Sequence, residues 1–216
     1  LVSIVALGLL GLVTLGAQTP TMGVADIRPG MVGIGRTVFS GTQVEEFRAH
    51  IIGVIENVIG TQRNLILAKL EGGPLAETGV IAGMSGSPVY IGGRLVGAVS
   101  YGWAFSKEPI GGVTPIESML TDLPQPPVAP HAAAMPSFTR AAASLPVPLE
   151  TARGRITRVA VMRTREAAES ASKEPGTMVL TPVQSLLQVS GFSDRSFEAL
   201  SRLLRPLDLQ PVRAFA

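Results

Sequence analysis

Two residue types that carry much protein chemistry are scarce in this 216-residue chain, which has no cysteine and only two histidines. The absence of cysteine excludes a thiol nucleophile, a thiolate zinc site and a disulfide framework. Two distant histidines with sparse carboxylates give little support to a metal site. Gly33-Ile34-Gly35 is followed by Arg36 rather than by the third glycine and helix of a dinucleotide site. We therefore expect no metal and no cofactor.

Aromatic residues and charges are also few, at 5% and 16% of the sequence, whereas the chain contains 24 glycines and 17 prolines. This composition predicts many turns and mostly β structure. The net charge is only +2, and the basic residues are scattered apart from a modest arginine cluster within residues 153–165. No basic stripe is interleaved with aromatic residues, so we expect no nucleic-acid partner.

Residues 1–17 form an apolar run without a single charge. The run is shorter than a typical membrane-spanning helix, and Leu15-Gly16-Ala17 resembles a small-residue cleavage site, so we interpret it as signal-peptide-like. A retained membrane anchor is the alternative. We expect a secreted or periplasmic protein, tethered to the membrane only if this segment is uncleaved. No initiator methionine or basic segment precedes the run, and we expect the chain to be a piece of a longer protein.

Residues 27–123 alternate short apolar runs with glycines, a pattern typical of successive strands in a barrel or sandwich, and we predict one β domain over residues 18–123. We predict strands near residues 31–39, 44–56, 64–70, 88–92, 94–100 and 111–116. Ser40-Gly41-Thr42 and Gly92-Gly93 are the clearest hairpin turns.

The second half of the chain begins with a Pro/Ala-rich stretch, residues 124–150, that we interpret as an extended linker. Residues 151–216 predict a small, incomplete α+β segment with strands at 154–161 and 178–183. Its best helix runs over 193–204, with Ser193 as the N-cap residue.

The most informative motif is Gly83-Met84-Ser85-Gly86-Ser87-Pro88. A hydroxyl flanked by glycines stands clear of its neighbours, and the backbone N–H groups before and at the serine can converge on one point, as an oxyanion hole requires. The motif therefore predicts acyl-transfer chemistry at Ser85. The alternative is a glycine-rich hairpin without a reactive serine.

The stretch from Gly83 to Gly102 resembles the nucleophile hairpin of chymotrypsin-like serine peptidases. The resemblance implies a chymotrypsin-like β-barrel, with the N–H groups of Gly83 and Ser85 as the oxyanion hole. It also implies that the strand Ser100-Tyr101-Gly102 binds an extended peptide or protein substrate. The form Gly-Met-Ser-Gly-Ser-Pro, with Thr78-Gly79 upstream, is more similar still to the SpoIVB-type peptidases of sporulation stage IV, which are secreted or membrane-tethered.

The general base is the difficulty in this assignment, because a nucleophilic serine needs a base within hydrogen-bond reach and the base needs an acid. The catalytic histidine of the SpoIVB type follows a glycine, whereas His50 follows alanine and His131 follows proline. Where the family has its acid, this chain has Leu70 and Glu71; we keep His50 and Glu71 as candidates, although a half-exposed strand histidine and a surface carboxylate explain them without chemistry.

Three outcomes follow for Ser85. The base lies beyond Ala216, the serine works with an incomplete triad, or the site has kept only peptide binding. We favour the first, and expect a serine endopeptidase that is active in its full-length form and inactive as this piece alone. The alternative is a non-catalytic peptide-binding or scaffold domain at the bacterial cell envelope.

Overall fold

The computed structural model describes residues 19–60, 63–121, 140–204 and 209–214. The signal-peptide-like segment 1–17, residues 124–139 of the predicted linker and His131 lie outside these ranges. The first part contains six strands and two short helices: β1 Val32–Thr37, β2 Glu45–Ile55, β3 Leu65–Glu71, α1 Leu75–Thr78, β4 Pro88–Ile91, β5 Arg94–Trp103, β6 Ile110–Pro115 and α2 Ile116–Thr121. The second part contains β7 Arg140–Thr151, β8 Gly154–Met162, α3 Arg165–Ala171, β9 Thr177–Pro182, β10 Ser185–Val189, α4 Asp194–Leu204 and β11 Leu209–Arg213.

Strands β1 to β6 close into an antiparallel barrel in the order β4-β1-β2-β3-β6-β5, with β4 pairing back onto β5. The fold is mostly β and consistent with a chymotrypsin-like barrel, as the sequence predicts. Successive side chains of a strand point to opposite faces, and this alternation gives the barrel its core. In β2 every second residue is buried inside, and Arg48, His50 and Ile52 point outward. The inner face packs around Phe47, which is 2% exposed.

Each predicted strand of this part is present to within three residues of its observed bounds. The two predicted hairpin turns are also confirmed, since Gly41, Gly92 and Gly93 have φ values of 62°, 56° and 77°. These left-handed conformations suit the tight turns in which glycine is favoured.

Strands β7, β8 and β9 extend the barrel sheet beyond β5, in the order β5-β9-β8-β7. β8 and β9 are parallel, and α3 makes the crossover that parallel strands need. A second hydrophobic cluster joins the two parts, because Leu65, Trp103 and Ile110 of the barrel pack with buried residues of β8 and β9, among them Val159 and Leu180.

The linker prediction for 124–150 needs a correction in residues 140–150, which belong to β7. Leu145 is 8% exposed and packs in the second cluster, so this stretch gains burial that its composition does not suggest. Its prolines are accommodated because β7 is the outermost strand and its pairing with β8 is interrupted between Ser144 and Leu149.

The last elements form a small unit in which β10 and β11 pair in parallel around α4. Ser193 caps α4 as predicted, since its hydroxyl accepts a hydrogen bond from the Ser196 N–H at 3.3 Å. Among the described residues, no helix is long and apolar enough to cross a membrane.

Candidate active site

The predicted nucleophile lies in a tight turn, residues 83–87, that leads into β4. Gly83 and Gly86 have φ values of +92° and +84°, a region that other residues rarely adopt. Between them Met84 is fully buried in the barrel core, while Ser85 is half-buried and reaches the surface. The two glycines therefore allow the chain to bury Met84 and to expose the next residue, Ser85, at the surface.

Hydrogen bonds hold this turn against β5. The Gly86 N–H donates to the Val99 carbonyl at 2.8 Å, and the Val99 N–H donates to the Ser87 carbonyl at 2.9 Å. Inside the turn, the Ser87 N–H donates to the Met84 carbonyl at 3.0 Å. The position of Ser85 is thus set by backbone contacts on both sides.

A buried hydroxyl pair adds a third support to the turn. The Ser87 Oγ–H donates to Thr37 Oγ1 at 2.8 Å, and the two residues are 7% and 5% exposed. Thr37 is the last residue of β1, so this bond fastens the turn to the end of that strand.

The Ser85 hydroxyl itself has no hydrogen-bond partner among the described residues, and neither has the Ser85 N–H. The Gly83 N–H, the other predicted oxyanion-hole donor, is occupied. It donates to the Gln184 carbonyl at 2.9 Å. One of the two donors is therefore open and the other is covered by the chain.

The predicted substrate strand, residues 100–102 of β5, is also paired with the same part of the chain. Tyr101 lies opposite Pro182 and Gly102 opposite Thr181 in an antiparallel ladder. The Val183 N–H then donates to the Ser100 carbonyl at 2.9 Å. Sequence reasoning predicts a strand at 178–183 but gives no sign of its partner, because pairing across some eighty residues leaves no local pattern.

His50 and Glu71, the candidate base and acid, are in contact on the outer wall of the barrel. His50 Nε2 lies 3.0 Å from Glu71 Oε2, and Arg48 Nη1 lies 3.8 Å from the same oxygen. The hydrogen bond from His50 lowers the pKa of Glu71 below its ordinary value; desolvation opposes it, and the charge of Arg48 makes a smaller contribution that again lowers the pKa.

The strand register separates this pair from Ser85. His50 lies opposite Val32, whereas Thr37, which contacts Ser87, is at the other end of β1. Five residues of strand at about 3.3 Å each place these ends about 16 Å apart. The structure thus brings His50 and Glu71 together but does not bring them to Ser85.

A groove of about 510 Å³ lies beside the turn, between the barrel and α3. The 80–82 loop, the end of β5 and residues 181–184 line it, and Lys107, Arg163 and Arg165 border it with positive charge. Residues 181–184 therefore form one wall of the groove as well as covering the predicted substrate strand.

Residues 15–120 match the model of one protein family, described as SpoIVB peptidase S55. The match ends with α2 and includes the whole barrel and the Ser85 turn. Comparisons with curated proteins and with solved structures gave no match.

Proposed function

The chain belongs, through residues 15–120, to the SpoIVB peptidase S55 family, and from this premise we propose that Ser85 is the nucleophile of its serine peptidase domain. Peptides or proteins are the substrates that such a domain implies. The apolar run at residues 1–17 supports a further part of the proposal, action outside the cytoplasm as a secreted or periplasmic protein.

The geometry of the 83–87 turn is the observation that carries this proposal. Ser85 reaches the surface between two glycines with positive φ values. Its preceding neighbour, Met84, is buried in the core, and its following neighbour, Gly86, is hydrogen-bonded to β5. A nucleophile has to be presented without being free to move, because catalysis depends on a fixed reacting geometry. The 83–87 turn meets both requirements.

In the proposed reaction, Ser85 Oγ attacks the carbonyl carbon of a peptide bond and gives its proton to a base. The negative oxygen that forms accepts hydrogen bonds from the N–H groups of Gly83 and Ser85. The base then protonates the leaving amine, and water hydrolyses the acyl-enzyme to restore Ser85. The Gly83 N–H can take part only after it has released the Gln184 carbonyl.

We place the base outside the described residues, because His50 is the one histidine within them and it lies on the outer wall with Glu71. A Gly-His pair in a further segment of the full-length protein would complete the site. The described part of the chain then contributes the nucleophile, the oxyanion donors and the substrate strand.

A second candidate function is a peptide-binding or scaffold domain without catalysis. It is favoured by one specific observation, that residues 100–102 already bind an extended chain through backbone hydrogen bonds. Strand addition of this kind gives affinity without a reactive serine.

A fluorophosphonate probe applied to the full-length protein separates the two functions. We expect covalent labelling at Ser85 and its loss in Ser85→Ala. Ser40→Ala, at an exposed turn position of the same barrel, is the matched control and should label as the wild type does. Labelling that survives Ser85→Ala, or that is absent both from the wild type and from Val183→Asp, which should release the Gly83 N–H from the Gln184 carbonyl, contradicts the nucleophile assignment and leaves the binding function.

A further inference from the structure

The stretch 181–184, called here the docked segment, continues along the barrel beyond the last pairing of β9 with β8, which joins Leu180 to Val161. Its residues Thr181 and Pro182 are opposite Gly102 and Tyr101 of β5, in antiparallel register. At its end the Val183 N–H donates to the Ser100 carbonyl at 2.9 Å. An extended peptide that adds to a sheet edge makes contacts of this kind.

The docked segment also reaches the oxyanion site. The Gln184 carbonyl accepts from the Gly83 N–H at 2.9 Å, so a peptide carbonyl occupies one of the positions proposed for the oxygen of a substrate. Just beyond it, Leu186 covers the turn, with its Cδ1 3.6 Å from the point where a side chain at Gly83 would begin.

Val183 is the side chain of the segment that enters the barrel. It is 8% exposed and packs with the core cluster that contains Met84, Val99 and Val113. Its Cγ2 lies 3.5 Å from the point where a side chain at Gly102 would begin, so Val183 packs directly against β5 at Gly102. The next residue, Gln184, is exposed, so the segment places one small apolar side chain, Val183, in the core; the site that it fills beside Met84, Val99 and Val113 is called here the pocket.

We propose that the docked segment occupies the peptide cleft in place of a substrate and keeps it closed until it is displaced. Val183 then marks the substrate class, namely extended peptides with a small branched apolar residue at the position that enters this pocket. The inference rests on the proposed function, because it takes residues 100–102 and the Gly83 N–H as the place where peptides bind.

Attachment in the same chain makes this occupant hard to displace. A tethered segment faces its site at an effective concentration of about millimolar, so a free peptide of equal intrinsic affinity competes poorly with it. The apparent affinity of the protein for a free peptide is the intrinsic affinity multiplied by the fraction of molecules whose cleft is open. Releasing the segment should therefore strengthen peptide binding.

The test uses the 216-residue chain and a fluorescein-labelled peptide, Leu-Thr-Pro-Val-Gln-Ser, with binding followed by fluorescence anisotropy. Val183→Asp places a charge in the apolar pocket, and we expect it to bind the peptide at least tenfold more tightly than the wild type. Val147→Asp, at a position 64% exposed on β7, is the matched control and should bind as the wild type does. The peptide with lysine in place of valine should bind neither protein.

A paired-cysteine variant keeps the proposal testable if Val183→Asp does not fold. Tyr101 and Pro182 face each other across the ladder, and the chain has no other cysteine to interfere. In Tyr101→Cys/Pro182→Cys, we expect oxidation to lock the segment down and abolish peptide binding, and a reductant to restore it. Equal binding in both states, or no binding to any folded variant, overturns the proposal.

The fluorophosphonate experiment distinguishes this failure from failure of the proposed function. Peptide binding needs no base and no reactive hydroxyl, so tighter peptide binding by Val183→Asp supports the docked segment, and absence of labelling in the full-length protein with Val183→Asp, in which the cleft is open, contradicts catalysis. Labelling of the full-length protein without any change in peptide binding supports Ser85 as nucleophile and contradicts occupation of the cleft.

Discussion

We expect the hydrogen-bonded hydroxyls of Ser87 and Thr37 to stabilise the nucleophile turn as a coupled pair. A double-mutant cycle in the free energy of unfolding measures this coupling. Both oxygens are buried, and each is the other's partner at 2.8 Å. Ser87→Ala leaves the Thr37 hydroxyl buried without its donor, at a cost of about 1–3 kcal/mol in the free energy of unfolding. Thr37→Val, which keeps the shape of threonine, should cost a similar amount because it leaves Ser87 unpaired.

The double variant Ser87→Ala/Thr37→Val removes both polar groups and should recover much of this loss, since replacing both partners by apolar groups of similar shape is nearly neutral. The two sites touch, so the cycle should give a coupling free energy of about 1–2 kcal/mol. A control is Thr121→Val, because the Thr121 hydroxyl donates to the Glu117 carbonyl on the exposed side of α2 and its loss leaves no buried group unpaired.

Urea unfolding followed by circular dichroism measures these differences. With a slope of about 2 kcal/mol per molar urea, a loss of about 2 kcal/mol lowers the midpoint by about 1 M. If the double variant loses as much stability as the two single variants combined, the hydroxyl pair is not a coupled buried contact and the account of how the turn is fastened to β1 is refuted.

Two further predictions concern the barrel. Gly35→Ala would place a methyl group against the Phe47 ring, and we expect it to lower the free energy of unfolding by about 1–3 kcal/mol. Phe47→Leu should partly relieve this loss in the double variant. If urea unfolding shows that the two losses simply add, this packing is contradicted. The pKa of Glu71, followed by NMR of its side-chain carboxyl, should lie below its ordinary value and rise in His50→Ala. Because the folded pKa is the lower one, the stabilisation from this contact is present above the unfolded pKa and lost as the pH falls through the folded pKa; an unchanged Glu71 titration in His50→Ala contradicts the hydrogen bond.

The barrel could be predicted from the sequence because its information is local. The alternation of apolar and polar residues along β2 indicates which side chains face inward, and the glycines indicate where the chain reverses. Both signals lie within a few residues of the feature that they predict. The same holds for the Ser85 turn, whose two glycines and buried Met84 lie within four consecutive positions.

Strand β7 shows where local reasoning fails. Its composition of alanine and proline is typical of an extended linker, yet Leu145 finds a buried position against β8 and the second cluster. This stretch forms a strand because β8 and the second cluster provide a surface on which it packs. That surface comes from other parts of the chain, so the composition of the stretch does not reveal it.

The site was predictable only in part for the same reason. His50 and Glu71 were candidates separately, and the diagonal contact between β2 and β3 that joins them depends on strand register. The docked segment was not predicted at all, because Val183 gives no sign that it enters a pocket formed some eighty residues earlier.

Trp103, the only tryptophan of the chain, lies where the docked segment joins the barrel, opposite Leu180 and 6% exposed. Indole emission moves to longer wavelength when water reaches the ring, so the natural fluorescence of this protein reports directly on whether that junction is open. The molecule thus contains its own optical sensor, which can be read in a stopped-flow instrument without any label. A screen for compounds or partners that open the cleft can begin from this signal alone.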